Sequence, residues 1–228
     1  PVPDLTAQQV IEKYLVAIGG KGAIAAIKDM KVRANAQLNG QVVSIKQWHG
    51  TGNKFRSETM ADEVIVQEIV YDGERGMIRT PEEMQELTGI ELWDVKSTAP
   101  PVPEIELPKF AERMTLSGKT TVNGEEAYKI TIATTEGSTI SDYYSVKTGL
   151  KLRRVDKKFI YGRPMVLTTD HLDYKKYGGV LFPQISKQSG GPMGEVIHTI
   201  EEIEMNKGAE PHFFETGLPP ISDEEDGE

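Results

Sequence analysis

The side chains that most often carry chemistry are scattered through this sequence. Its four histidines, His49, His171, His198 and His212, lie far apart. None stands at the spacing of a metal motif such as HExxH, so the sequence predicts no metal site. Isolated histidines in strands are most often surface or edge residues.

Other catalytic signatures are missing as well. The glycine pairs at 19–20, 178–179 and 190–191 form neither a GxGxxG nor a Walker loop, and turns explain them. No GxSxG is present. Carboxylates occur mostly in solvated runs such as Glu82-Glu83, although strands can bring distant carboxylates together. The sequence therefore predicts a protein that is not an enzyme and has no cofactor.

Composition narrows the class of protein further. The chain has 228 residues, of which 38% are hydrophobic and 27% charged, which predicts one globular domain over 1–228. A net charge of −9 argues against nucleic acid and against broad contact with anionic lipid. With no cysteine, disulfides, thiol nucleophiles and cysteine-ligated zinc are excluded. We expect the acidic tail, 221–228, to be disordered.

The amino-terminal region predicts an amphipathic helix over 6–20. Thr6 and Gln9 form a capping-box pattern at its start, and Gly19-Gly20 is a natural stop. One face of this helix is apolar and must be buried: Val10, Ile11, Tyr14, Leu15 and Ile18. A second short helix is expected over 21–28.

From Met30 onward the sequence predicts a series of β-hairpins. Apolar and polar residues alternate, and turn pairs recur at 39–40, 72–73, 123–124, 148–149 and 178–179. A sheet this long must curl to bury one face. We therefore predict an α+β fold, a curved antiparallel half-barrel of about ten or eleven strands with the first helix packed in its concavity.

One segment, 81–111, interrupts this rhythm. Pro81 and the acidic pair after it predict a helix over 81–93, and four prolines follow before residue 109. The segment is too short to form its own core. We interpret it as a mobile lid over one mouth of the sheet.

A candidate ligand site follows from the alternation. One strand presents an apolar face that is rich in small residues, and neighbouring strands and the lid could continue it, with the register unknown. The candidate lining is Val32, Ala34, Ala36, Leu38, Val43, Ile45, Phe55, Val64, Val66 and Trp93. The alternative is that these residues are ordinary core. Trp48 is more typical of core, whereas Trp93 is compatible with either role.

Several stretches resemble LolA-like proteins, the outer-membrane lipoprotein carrier type, over about residues 6–220. They are VIEKY from Val10 with AIGGK from Ala17, YDG from Tyr71, NGEEAYKI from Asn123, DYK from Asp173 followed by GVLFP from Gly179, and Leu218-Pro219 near the end. The resemblance implies an incomplete, strongly curved antiparallel barrel that is closed by helices around an apolar hollow. Members of the family carry or sense acyl chains of lipoproteins or glycolipids.

The resemblance implies a monomeric, non-catalytic binding protein in the periplasm, with a lipid or a lipidated protein as its partner. The chain begins at Pro1 rather than Met, so we expect that a signal sequence has been removed. The alternative function is an interaction module of a larger envelope protein, for example a pitrilysin-type zinc peptidase, without a ligand of its own. The sequence has no zinc motif, so that role would also be non-catalytic.

Overall fold

A computed structural model describes residues 5–107, 113–134, 137–160, 163–192 and 194–219. The predicted tail at 221–228 and part of the predicted lid, 108–112, lie outside these residues. Within the described residues, no helix is long and apolar enough to span a bilayer.

In the described part of the chain, the fold consists of one large antiparallel sheet with three helices. The helices are α1 (Ala7–Ala17), α2 (Gly20–Ala25) and α3 (Gly89–Thr98). The strands are β1 (Met30–Leu38), β2 (Gln41–Gly50), β3 (Lys54–Ala61), β4 (Val64–Tyr71), β5 (Gly76–Arg79), β6 (Met84–Leu87), β7 (Met114–Val122), β8 (Glu125–Ala133), β9 (Thr139–Ser145), β10 (Lys151–Ile160), β11 (Arg163–Tyr177), β12 (Val180–Gly191) and β13 (Gly194–Met205). Short 3₁₀ turns occupy Pro103–Ile105 and Pro211–Phe214.

The path of the chain places β6 and β7 at the two edges of the sheet. The strand order is β6-β5-β4-β3-β2-β1-β13-β12-β11-β10-β9-β8-β7, so the chain starts in the middle and runs out to one edge. It then crosses to the opposite edge at β7 and returns until β13 pairs with β1. The described residues thus form a curved sheet of 13 strands rather than ten or eleven.

Part of this difference in strand number arises at the start of the segment predicted as a lid. The predicted helix over 81–93 is wrong: β6 occupies its middle, and α3 begins only at Gly89. Pro81 lies in a tight turn in which the Thr80 N–H donates to the Glu83 carbonyl oxygen. Leu87 then pairs with Gly76 and is buried against the sheet, which favours a strand over a helix here.

The prediction for the first helix is confirmed at its start. The Thr6 hydroxyl accepts from the Gln9 N–H, and the Gln9 side chain accepts from the Thr6 N–H. The predicted apolar stripe is almost completely buried, with Ile11 and Leu15 at 0% exposure. The second helix, predicted over 21–28, is the shorter α2.

Both long helices pack on the same face of the sheet, here called the helix face. α1 packs against Ile130, Tyr144 and Val180 in the half formed by the later strands. α3 packs against Phe55 and Tyr71 in the half formed by the earlier strands. One hydrogen-bonded sheet carries both apolar clusters. Its organisation as a single domain stays a prediction.

Candidate ligand-binding site

The helix face holds a cavity of about 300 Å³ beneath α3, here called the Trp93 cavity. Its walls combine α3, the proline-rich segment and the ends of β8 and β9. Its apolar lining includes Trp93, Pro100, Pro103, Leu107, Ile132 and Ile140, and its cationic lining comprises Lys96, Arg113 and Arg154. The pairing of β8 with β9 builds one wall of the cavity, because it places Ile132 directly opposite Ile140. Apolar walls with a few polar groups are typical of small-molecule sites.

A second cavity of about 230 Å³, the His171 cavity, lies beside the first. It is lined by both apolar and ionisable side chains, including Tyr14, Glu104, Lys151, Thr169, His171 and Phe182. Arg154 and Pro103 line both cavities. The two spaces therefore share part of their walls.

A buried charge cluster forms the floor between the cavities. Arg154 Nε and Nη2 donate to the two Asp142 carboxylate oxygens at 2.8 and 2.9 Å. Lys151 forms an ion pair with Glu104 and lies 3.8 Å from Asp142. Burial alone would raise the pKa of Asp142, but Arg154 and Lys151 outweigh it and hold that pKa well below its usual range.

This cluster attaches the proline-rich segment to the sheet. Glu104 lies in the 3₁₀ turn of that segment, and its side chain is only 5% exposed where it meets Lys151. Val102, two residues earlier, is buried with the apolar side chains around α1. Ahead of the proline-rich segment, Asp94 of α3 forms an ion pair with Lys158 of β10. With the pair between Arg75 and Glu86, the described part of the segment predicted as a lid thus has at least three ionic attachments.

His171 is the most unusual side chain of the site. Its Nδ1 lies 3.2 Å from the Ser186 Oγ, while its buried Nε2 has no hydrogen-bond partner among the described residues. Burial, followed by the charges of Lys151 and Arg154, lowers the pKa of His171 to about 3. The ring is therefore neutral near pH 7, with one nitrogen as donor and the other as acceptor.

The interpretation of the histidines as surface or edge residues is wrong for His49. This side chain is 6% exposed, and its Nδ1 lies 2.9 Å from the Ala99 carbonyl oxygen, which requires the nitrogen to donate. Burial lowers its pKa to about 4. The residue joins β2 to the end of α3.

The predicted lining is partly brought together. The row on β1, Val32, Ala34, Ala36 and Leu38, lies on the helix face, and the register places Ala34 opposite Ile45 and Ala36 opposite Val43. On their other side β13 places Ile200 and His198 opposite the same two alanines. The structure thus places Val43 and Ile45 beside this row, and whether the row binds a ligand stays a prediction.

The remaining predicted residues lie elsewhere. Phe55 is buried on the helix face in the cluster around α3. Val64 and Val66 are 62% and 37% exposed, and a register shift between Thr59 and Met60 removes Val66 from the ladder. Trp93 lines the cavity named after it and packs against the cluster around α1.

Exposed apolar side chains collect at one end of the sheet. We call it the distal end and define it by the turns at 39–40, 62–63 and 80–83. The strand directions place seven large apolar residues there that are at least about one third exposed: Val42, Val64, Ile65, Val66, Met84, Phe159 and Val166. Such clustering is typical of an interaction surface.

Comparisons of the fold place these features in a known architecture. A DUF1329 family protein from Desulfovibrio piger aligns with a TM-score of 0.62 at 13% identity over 91% of this chain and 96% of its own. A LolA superfamily protein from Nitrosomonas europaea gives a TM-score of 0.62 at 11% identity, covering 94% of this chain and 100% of its own. An outer-membrane lipoprotein-sorting protein domain from Vibrio parahaemolyticus gives 0.62 at 10%, covering 91% and 97%.

The chain therefore has a LolA-like fold, as the resemblance implied. No protein-family model matches the sequence, and no curated protein matches it. At these sequence identities the comparisons establish the fold alone. The ligand is inferred from the geometry of this chain.

Proposed function

We propose that this protein is a non-catalytic binding protein for acyl chains or other apolar ligands, that it works outside the cytoplasm as a monomer, and that its partner is a lipid or a lipidated protein. The Trp93 cavity is the observation that carries this proposal. The lipoprotein-sorting name of the Vibrio domain supports the same class of ligand.

The walls of the Trp93 cavity suit a hydrocarbon chain. Trp93, Ile132 and Ile140 present apolar surface inside a space of about 300 Å³, near the lower end of the range for small-molecule sites. Each methylene buried there contributes about 0.8 kcal/mol to binding. Lys96 and Arg113 line the border of the cavity and are exposed, so their charges stay in contact with water.

The packing of the helices supports a hollow rather than a flat sheet surface. α1 and α3 cover opposite halves of the helix face, with the row that contains Ala34 and Ala36 on the strands between them. We propose that this face is concave and that the row extends the ligand site. Ala34 and Ala36 occupy less volume than larger apolar side chains would at these positions.

A fluorescent fatty-acid titration tests the proposal. Ser97→Trp places a large side chain in the wall of the Trp93 cavity that α3 forms, and we expect it to weaken probe binding at least about tenfold, because losing two buried methylenes already costs about that much. Thr120→Trp, at an exposed position of β7, is the matched control and should bind like the wild type. Equal binding by all three proteins would refute the assigned site.

The apolar distal end favours a second candidate function, an interaction module of a larger envelope protein. Val64 and Phe159, exposed at 62% and 63%, are its most prominent residues. A Val64→Ser/Phe159→Ser protein should lose association with its envelope partner in crosslinking of intact cells if this function is correct. Unchanged crosslinks, together with acyl binding by the wild type, would favour the binding protein.

A further inference from the structure

We propose that the His171 cavity holds an uncharged hydrogen-bonding group of the ligand, a hydroxyl or an ester carbonyl oxygen, while the hydrocarbon part occupies the Trp93 cavity. This inference rests on the proposed function and names the chemical class of the ligand as an uncharged amphiphile, neither a free fatty acid nor a cationic lipid.

The unpartnered nitrogen of His171 is the first reason. Its Nε2 is buried and lacks a partner among the described residues, although a buried polar atom without a hydrogen bond costs roughly 1–3 kcal/mol. The same side chain lines a cavity of about 230 Å³, which is large enough to admit a ligand group. Because the nitrogen itself is covered, a ligand oxygen in this space restores the missing hydrogen bond once the ring rotates toward it.

The contact with Ser186 defines which groups can bind. If the Ser186 hydroxyl donates to Nδ1, then Nε2 carries the proton and needs an acceptor. If Nδ1 carries the proton, then Nε2 needs a donor. A ligand hydroxyl satisfies both tautomers, whereas a carbonyl oxygen satisfies only the first.

The charge balance of the cavity excludes an ionised group. Two cations, Lys151 and Arg154, face two carboxylates, Glu104 and Asp142, and each charge has a partner of opposite sign. The carboxyl group of Asp156 lies on the same face of β10, where it interacts electrostatically with Arg154 and with the cation Lys158. An anionic or cationic head would add an uncompensated buried charge, which is far more costly than an uncharged one.

The shared wall makes the two cavities neighbours, which the proposal requires of a ligand that occupies both. Arg154 lines both, and its Nε and Nη2 are already engaged by Asp142. The guanidinium is therefore held in place with its charge neutralised, and it borders both the space beside His171 and the space beside Trp93. An amphiphile whose head lies at His171 and whose chain lies under Trp93 matches this division.

A chain-matched series tests the inference by displacement of the fluorescent fatty acid. The compounds are 1-decanol, methyl decanoate, decanoate and decyltrimethylammonium, measured with the full chain at pH 7.5. We expect 1-decanol to bind the wild type at least about fivefold more tightly than either ion, the ratio that one net hydrogen bond supplies.

Variants locate the effect. His171→Leu should remove the preference for 1-decanol, and His171→Gln, which keeps an N–H donor, should restore part of it. His198→Leu is the matched control, because His198 lies on the same face opposite Ser186 but does not line the cavity. If His171→Leu does not fold, Ser186→Ala tests the same contact by releasing the ring.

The outcomes separate this inference from the proposed function. Equal binding of all four compounds, tighter binding of decanoate, or a preference that survives both His171→Leu and Ser186→Ala would overturn the inference and leave acyl binding intact. Failure of the probe and of every compound to bind the wild type would overturn the proposed function itself, and the inference with it.

Discussion

The ion pair between Glu104 and Lys151 provides the sharpest test of how the proline-rich segment is attached. Both side chains are almost fully buried, at 5% and 7% exposure. Glu104→Leu removes the direct ion-pair partner of Lys151 and leaves this buried ammonium with Asp142, which Arg154 already engages. Breaking a buried pair costs about 3–5 kcal/mol, and we expect the lower value because Asp142 still lies 3.8 Å from Lys151.

The assay is equilibrium unfolding in urea together with thermal unfolding. A loss of about 3 kcal/mol should lower the melting temperature of a chain of this size by roughly 6–12 °C. Glu91→Gln, at an exposed position of α3, is the control and should stay within about 0.5 kcal/mol of the wild type.

The double variant Glu104→Leu/Lys151→Met makes the reasoning refutable. It removes both charges and leaves Asp142 neutralised by Arg154, so it should be more stable than Glu104→Leu alone. A single variant that loses less than about 1 kcal/mol, or a double variant whose loss equals the sum of the two single losses, would refute the buried-pair account.

Four further predictions follow from the packing and the pKa values. Leu15→Asp should destabilise the protein by about 3 kcal/mol or more, because Leu15 is 0% exposed; an unchanged melting temperature would show that α1 is peripheral. Burial lowers the pKa values of His49 and His171 to about 4 and about 3 from an unfolded value of 6.5, so the unfolded chain binds more protons and stability falls as the pH drops through 6.5. Between pH 8 and 5.5 we expect a loss of about 1.4 kcal/mol per histidine in urea unfolding, and equal stability at both pH values would contradict this. Ala36→Trp should block uptake of the fluorescent fatty acid with little change in stability, whereas a loss of roughly 1–3 kcal/mol with uptake intact would identify solid core. Limited proteolysis should cut within 81–111 before any hairpin turn, and earlier cleavage elsewhere would argue against a lid.

The first helix and the hairpins were accessible from sequence because short-range patterns determine them. Thr6 and Gln9 form the cap within four residues, and the turns at 39–40 and 123–124 lie where Asn-Gly pairs predict them. The segment that starts at Pro81 was misassigned because a proline followed by acidic residues is compatible with both a helix start and a tight turn. Pairing of β6 with β5, a tertiary contact, decides between them.

The site was less predictable, because it depends on contacts between distant parts of the chain. The alternation of apolar and polar residues identified the apolar face that contains Ala34 and Ala36. That alternation alone does not show which strands lie against the segment between β6 and β7. Glu104 meets Lys151 across 47 positions, and Arg154 meets Asp142 only once β9 and β10 are in register. Buried charged residues on half-buried strands resemble surface residues in sequence, so the role of His171 had no local signal.

Native mass spectrometry of the full chain purified from its own host tests the central claim most directly. We expect a fraction of the protein to carry an added mass that collision releases as an uncharged acyl lipid, and Ser97→Trp to reduce that fraction. Protein that is free of lipid, together with failure of the wild type to bind any acyl probe, would contradict the account and favour the interaction module.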